Sequence, residues 1–241
     1  MVTVVPVRGL GTIVNVTTVL VGATVGLLVG PRLPERFRQI ALQGVGLVTF
    51  VLGIQEAGKT ANLAFPLGSI VLGGLIGEAL RIEHLLDRLG TGFERIARRG
   101  HRTDDPPGST FVEGFVTATL FFCVGPLTIL GSISDGLGLG AQQLFVKSAL
   151  DGTVAVVLAS TLGAGVALSA FSVLVVQGLL TLAAAAVHAA LTDRMIAETT
   201  ATGGIVIIGI ALRILDIRRI PVGSFLPALV IAPVAVALCA R

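Results

Sequence analysis

LGTIVNVTTVLVGATVGLLV, residues Leu10–Val29, carries no charged side chain from end to end. Wound as an α-helix, a run of about 20 apolar residues reaches across the hydrocarbon core of a bilayer. Only Arg8 supplies charge before it, no small-residue cleavage site follows, and Pro31-Arg32-Leu33-Pro34-Glu35-Arg36 comes directly after. The run therefore reads as a retained membrane span and not as a removable signal peptide.

The remainder of the chain repeats that pattern. Seven further apolar runs follow: Ile40–Gln55, Phe65–Leu80, Phe111–Leu130, Leu144–Leu162, Phe171–Leu191, Gly203–Leu215 and Val222–Ala240. The second, third and seventh spans of the resulting set are short and interrupted by glycine, so tilted, broken or incomplete crossings are expected there. The fold class is all-α: a polytopic integral membrane protein of about eight transmembrane helices, seven being the alternative count, forming a single transmembrane domain over 1–241. Composition agrees. Of the 241 residues, 54% are hydrophobic and 13% charged, with a mean hydropathy of +0.95. A soluble domain carries ~25% charged residues, so this chain lacks the polar surface that water requires. A soluble globular enzyme, a disordered tail and a nucleic-acid binder are excluded on that ground. The 31 glycines follow no Gly-X-Y period, which excludes collagen, and Cys123 and Cys239 both sit in apolar runs, so no disulfide framework is implied.

Charge in the loops sets the orientation. With the N-terminus outside, the cytoplasmic loops hold Arg32, Arg36 and Arg38, then Arg81, Arg88, Arg95, Arg98, Arg99 and Arg102, then Arg213, Arg218 and Arg219, twelve of the 17 basic residues. Outer segments keep Arg8, Lys59, Arg194 and Arg241, and Lys147 falls within a span. That asymmetry follows the positive-inside rule. Seven spans would move the Arg213–Arg219 cluster outside, so eight are favoured, with both termini outside a bacterial cell (inner) membrane. Aromatic residues are 5%, all of them Phe, so arginine replaces the usual aromatic belt as interfacial anchor. Residues 81–109 read as a cytoplasmic amphipathic helix on the lipid surface, followed by a linker at Asp104-Asp105-Pro106-Pro107-Gly108.

An internal repeat is visible between residues 10–80 and 171–240. Setting Leu33-Pro34-Glu35-Arg36-Phe37 on Leu191-Thr192-Asp193-Arg194-Met195 brings Gly46 onto Gly204 without a gap. With the second copy two residues shorter, Gly53-Ile54 meets Gly209-Ile210, and Pro66-Leu67-Gly68-Ser69 finds its counterpart in Pro221-Val222-Gly223-Ser224. In the eight-span topology the two copies enter the membrane from opposite sides, as in many secondary transporters. Residues 111–162 stand outside this repeat.

The candidate pathway residues are Asn15, Glu113, Gly125, Pro126, Lys147, Asp151 and Gln177. Gly125-Pro126 falls inside an apolar run, where proline removes a backbone hydrogen bond and frees the carbonyl near Phe122. Such a break presents backbone oxygens to a cation or a helix start to an anion; a plain structural kink is the alternative. Lys147 and Asp151 are four residues apart on one helix face and able to pair. They form a polar pathway or coupling-ion site, or else a structural pair near the outer interface with Lys147 snorkelling outward. Glu113 suits a helix N-terminus through the dipole, and Asn15 and Gln177 suit hydrogen bonding between helices. Glu78 lies one turn before the cytoplasmic end of the third span. Gly22, Gly26 and Gly30, like Gly73 and Gly77, are spaced for close helix packing, within one subunit or between two.

Catalytic and cofactor signals are absent. Gly53-Ile54-Gln55-Glu56-Ala57-Gly58-Lys59-Thr60 matches the phosphate-loop pattern, but a glycine-rich span precedes it where a strand is required, and Pro66 follows closely. His84, His101 and His188 share no metal-ligand spacing, and neither H-E-x-x-H nor G-x-S-x-G occurs. No enzyme activity, cofactor, metal or nucleic-acid partner is expected. The expected partners are membrane lipids, a small solute or ion and, through the glycine faces, a second copy of the chain.

Gly11-Thr12-Ile13-Val14-Asn15, Cys123-Val124-Gly125-Pro126 with Leu130-Gly131-Ser132, Lys147-Ser148-x-x-Asp151-Gly152 and Leu226-Pro227-Ala228-Leu229 together resemble the YdfK/YqgA family of bacterial inner-membrane proteins. The pieces occur in the same order over nearly the whole chain, and Asn15, Gly125, Pro126, Lys147, Asp151 and Pro227 fall on motif positions. The resemblance implies a membrane protein and brings no substrate. The expected function is transport of a small solute or ion, with a non-transporting scaffold or assembly protein, or an ion channel, as alternatives.

Overall fold

The computed structural model describes residues 8–98 and 110–239. Eleven α-helices account for most of them: α1 (Leu10–Val29), α2 (Glu35–Ala57), α3 (Ala64–Ala79), α4 (Ile82–Arg98), α5 (Thr110–Val124), α6 (Pro126–Gly136), α7 (Gln142–Leu162), α8 (Gly165–Leu182), α9 (Ala184–Ala190), α10 (Asp193–Ile214) and α11 (Ala228–Cys239). Among the described residues there is no strand. Six segments are long and apolar enough to cross a membrane, and the number reaches 8 when two bent pairs each count as one crossing. The expected linker Asp104–Gly108 lies outside the described residues.

Several spans differ from their sequence-drawn limits. The second and seventh are not short or incomplete: α2 runs for 23 residues and α10 for 22. The helix α10 begins well before Gly203 because Thr192 caps it, its hydroxyl accepting the Met195 N–H at 3.3 Å. Its polar first half is folded into the bundle and not left as loop. The third span stays short, and α3 and α4 meet at 56°. The bend falls at Arg81, whose φ of 54° is a left-handed conformation. The fourth span breaks at Gly125 into α5 and α6, bent by 59°. The sixth starts earlier than Phe171, at Gly165, and breaks after Leu182. The last begins with a 3₁₀ turn at Val222–Phe225, and α11 starts at Ala228, directly after Pro227.

The helices pack as two sub-bundles. In the first, α1 lies along α7 so closely that a Cβ at Gly22 or Gly26 would meet the carbonyl of Gly152 or Val156. On the other flank α5 runs beside α8, with the Thr119 hydroxyl donating to Ser172 at 3.1 Å, and α1 touches α8 where the Thr12 and Thr181 hydroxyls are 3.4 Å apart. In the second, α2 crosses α10 antiparallel, with Gly46 against Leu215 and Gly204 against Ala57. There α3 lies against α11, with Gly73 on Ala228. The glycine faces are thus used within one chain.

These contacts fix the helix directions. The Arg38 guanidinium donates to the Ser160 carbonyl at 3.3 Å, and Arg213 donates to Glu83 at 2.8 Å. The C-terminal ends of α1, α3, α7 and α10 therefore share one face, with Arg32, Arg36, Arg38, Arg81, Arg88, Arg213, Arg218 and Arg219. The opposite face holds Arg8, Lys59 and Arg194, the last stacked 5.3 Å over the Phe65 ring.

Candidate functional site

The first sub-bundle is built around the break between α5 and α6. Gly125 is extended (φ −66°, ψ 150°) and Pro126 occupies the first turn of α6, where a missing N–H is tolerated. The carbonyl of Phe122 loses its helical partner and accepts the Thr128 hydroxyl at 3.0 Å instead. That carbonyl is satisfied by protein, as lipid demands.

Facing the break, Lys147 lies 6.0 Å over the Phe122 ring and donates to Asp151 Oδ2. Asn15 of α1 donates its amide N–H to the same oxygen at 3.0 Å. Lys147 and Asp151 are only 4% and 3% exposed. The snorkelling alternative is corrected: the ammonium turns inward to its i+4 carboxylate, because Asp151 and the Phe122 ring offer it partners that lipid does not.

One helical turn further along the α1–α8 contact lie more polar atoms. Thr12 meets Thr181, and α1 and α8 run antiparallel, so Asn15 and Gln177 occupy the next level of the same interface. Gln177 is fully buried, and both its amide nitrogen and oxygen lack a hydrogen-bond partner. Asn15 Oδ1 and Ser132 Oγ are buried and unpaired as well. Asn15, Lys147 and Asp151 therefore come together beside Phe122, just before the Gly125–Pro126 break, with Gln177 at the same depth.

Glu113 is not part of this group. It sits in the first turn of α5, favourable to the helix dipole, and lines a cavity at the arginine-rich face together with Glu83 and Arg213. Glu78 accepts the Ser224 hydroxyl at 3.2 Å.

Two buried carboxylates escaped the sequence reading. Glu198, fully buried on α10, accepts the Thr60 hydroxyl at 2.6 Å and the N–H groups of Ala61 and Asn62 at 3.0 and 3.2 Å. It anchors the α2–α3 connection through Thr60, the last residue of the phosphate-loop lookalike, and the two residues after it, while Lys59 pairs with Glu56 at 2.7 Å. Asp135 accepts the Gly11 N–H at 3.1 Å and caps α1 from α6. The available signal for Glu198 was Glu198-Thr199-Thr200-Ala201-Thr202-Gly203-Gly204, small polar residues with one acid, a pattern suited to a helix packed on other helices. Glu198→Ala is expected to destabilise the protein by about 1.5–3 kcal/mol, the usual worth of hydrogen bonding to a charged group, since the released N–H groups of the exposed Ala61 and Asn62 can turn to water. Thermal unfolding in detergent reads this, and an unchanged midpoint would contradict the anchoring role.

The chain is similar over nearly its whole length to two bacterial proteins. The uncharacterized protein YqgA of Escherichia coli (strain K12) is 32% identical over 223 residues, covering 92% of this chain and 94% of that protein. The uncharacterized membrane protein YdfK of Bacillus subtilis (strain 168) is 30% identical over 230 residues, covering 94% and 95%. No solved structure gives a significant match. The model of the protein-of-unknown-function family DUF554 matches residues 10–237. The chain, an all-α membrane protein with a polar centre at a broken helix, belongs to the DUF554 family.

Proposed function

We propose that this protein is a bacterial inner-membrane transporter of a small solute or ion, with its N-terminus outside and no enzymatic step. Its polar site would be Asn15, Lys147, Asp151 and Gln177 beside the Gly125–Pro126 break. The carrying observation is the fully buried Gln177 amide, unpaired on both atoms and level with a buried ion pair. An unpaired amide in an apolar interior costs several kcal/mol on the order of water-to-hydrocarbon transfer, and ionisable groups at depth usually mark a pathway.

The inverted repeat supports the same reading. In the register that sets Leu33 on Leu191, Gly46 corresponds to Gly204. Each of these two glycines packs on the helix of the other copy, Gly46 against Leu215 and Gly204 against Ala57. The pairs α1 with α8, α2 with α10 and α3 with α11 each join corresponding helices of the two copies. The pairing of α7 with α1 and of α5 with α8 extends that exchange into the segment between the copies.

The test is flux of protons, sodium, potassium and chloride in dye-loaded proteoliposomes, for wild type and Asp151→Asn. The proposal expects flux of at least one ion, lost in the variant. Unchanged flux in Asp151→Asn removes that residue from the mechanism, and unitary currents in a planar bilayer would assign a channel instead. Absence of flux together with a stable crosslinked partner would assign a scaffold. For orientation, Lys59→Cys is expected to label from outside intact cells and Arg218→Cys only after permeabilisation. The reverse pattern would place the N-terminus inside.

A further inference from the structure

The arginine-rich face carries a cavity system remote from the Lys147–Asp151 centre. The helix α4 leaves α3 at Arg81 and lies across the start of α5, with Gly90 against Val112 and Phe115 and with Leu86 against Gly223. Its Leu85 and Leu89 are exposed, as in a helix resting at the lipid surface. Beneath it opens a cavity of about 510 Å³ lined by Glu83, Asp87, Thr91, Glu113, Arg213 and Arg219. A smaller cavity of about 200 Å³ adjoins it, and Ile220 lines both. The walls of the smaller one are wholly apolar, with Ile70, Leu212, Val222 and Phe225 among them.

The charges are unevenly spent. Glu83 is committed to Arg213 at 2.8 Å and to the Gly223 N–H at 2.6 Å. Thr91 donates to the Asp87 carbonyl at 2.8 Å. The carboxylates of Asp87 and Glu113 and the guanidinium of Arg219 make no hydrogen bond or ion pair with described residues. Two free anionic groups and one free cationic group therefore face a polar cavity whose neighbour is dry. Among the described residues no group of three or more His, Cys, Asp or Glu is arranged to hold a metal ion.

We propose that these joined cavities bind an aminophospholipid of the cytoplasmic leaflet. Its ammonium sits between Asp87 and Glu113, its phosphate on Arg219, and part of one acyl chain enters the apolar cavity past Ile220. An ammonium has three N–H donors, enough for both carboxylates, and guanidinium geometry matches phosphate oxygens. Phosphatidylglycerol supplies the phosphate and the chains but no cation, and leaves Asp87 and Glu113 facing an anion. A free zwitterion supplies both charges and leaves the apolar cavity empty.

Native mass spectrometry of the detergent-purified full chain tests this, with phosphatidylethanolamine, phosphatidylglycerol and glycerophosphoethanolamine as probes. Wild type is expected to retain phosphatidylethanolamine about tenfold more tightly than phosphatidylglycerol, the equivalent of roughly one ion pair at 1.4 kcal/mol. The double variant Asp87→Asn/Glu113→Gln should lose that preference. Ile70→Trp, which fills the apolar cavity, should weaken both lipids while keeping the preference. Equal or tighter binding of phosphatidylglycerol by wild type overturns the proposal without any variant. So does a preference that survives the double change, and so does glycerophosphoethanolamine competing as well as the intact lipid, which would assign a soluble zwitterion. None of these readouts depends on transport, so they stand apart from the fate of the transporter reading.

Discussion

Asp151→Leu is expected to cost the folded protein about 3–5 kcal/mol, the usual penalty for breaking a buried ion pair on one side. The change strands the Lys147 ammonium, which has no other anionic partner within bonding distance among the described residues. It also strands the Asn15 amide, whose N–H is given to Asp151 Oδ2. Lys147→Met leaves the carboxylate with Asn15 alone and is expected to cost a similar amount. The double variant Lys147→Met/Asp151→Leu removes both charges and should recover most of the loss, because the expense lies in a lone buried charge and not in the absence of the pair. Unfolding in detergent for the four proteins of this cycle measures the coupling directly. Additive losses would mean that the two charges do not depend on one another.

The second large effect is steric. Gly22→Leu/Gly26→Leu places side chains where α1 meets the Gly152 and Val156 carbonyls of α7. Backbone atoms cannot rotate away as a flexible side chain can, so the helices must part. A loss at or above about 3 kcal/mol is expected, the upper end for overpacking, read as reduced folded yield and a lower unfolding midpoint. Gly44→Leu/Gly68→Leu is the matched control, since nothing lies within 4 Å of a Cβ at either position. Its effect should stay within about 0.5 kcal/mol, as for surface changes. Equal losses in the two double variants would contradict the α1–α7 packing.

Much of the fold was legible because the bilayer imposes a length and a polarity on every crossing. The run at Leu10–Val29 has the same limits in the sequence and in the structure, and the arginines gather on one face as the alternation requires. The break at Gly125-Pro126 was readable because proline has no N–H to give, and the Lys147–Asp151 pair because four residues return a helix to the same face. What was hidden depends on neighbours. The first half of α10 looked too polar to be a span, yet Glu198, Thr200 and Thr202 are buried against other helices, which hydropathy along the chain does not register. Asp135 caps a helix distant in sequence, and no local pattern announces that. Glu113 was grouped with the pathway by its position near a span, whereas packing puts it under α4 at the arginine-rich face. Gln177 was expected to bond between helices; only three-dimensional packing leaves its amide without a partner.

The central claim is that the buried polar centre at the broken helix communicates with water. It is tested most directly by Gln177→Cys in a Cys123→Ser/Cys239→Ser background, reconstituted in proteoliposomes and exposed to a charged, membrane-impermeant thiol reagent. Leu179→Cys, 62% exposed on the same helix and facing lipid, is the comparison. The account predicts that the cysteine at position 177 reacts and the one at 179 does not. A cysteine at 177 as inert as the one at 179 would contradict it.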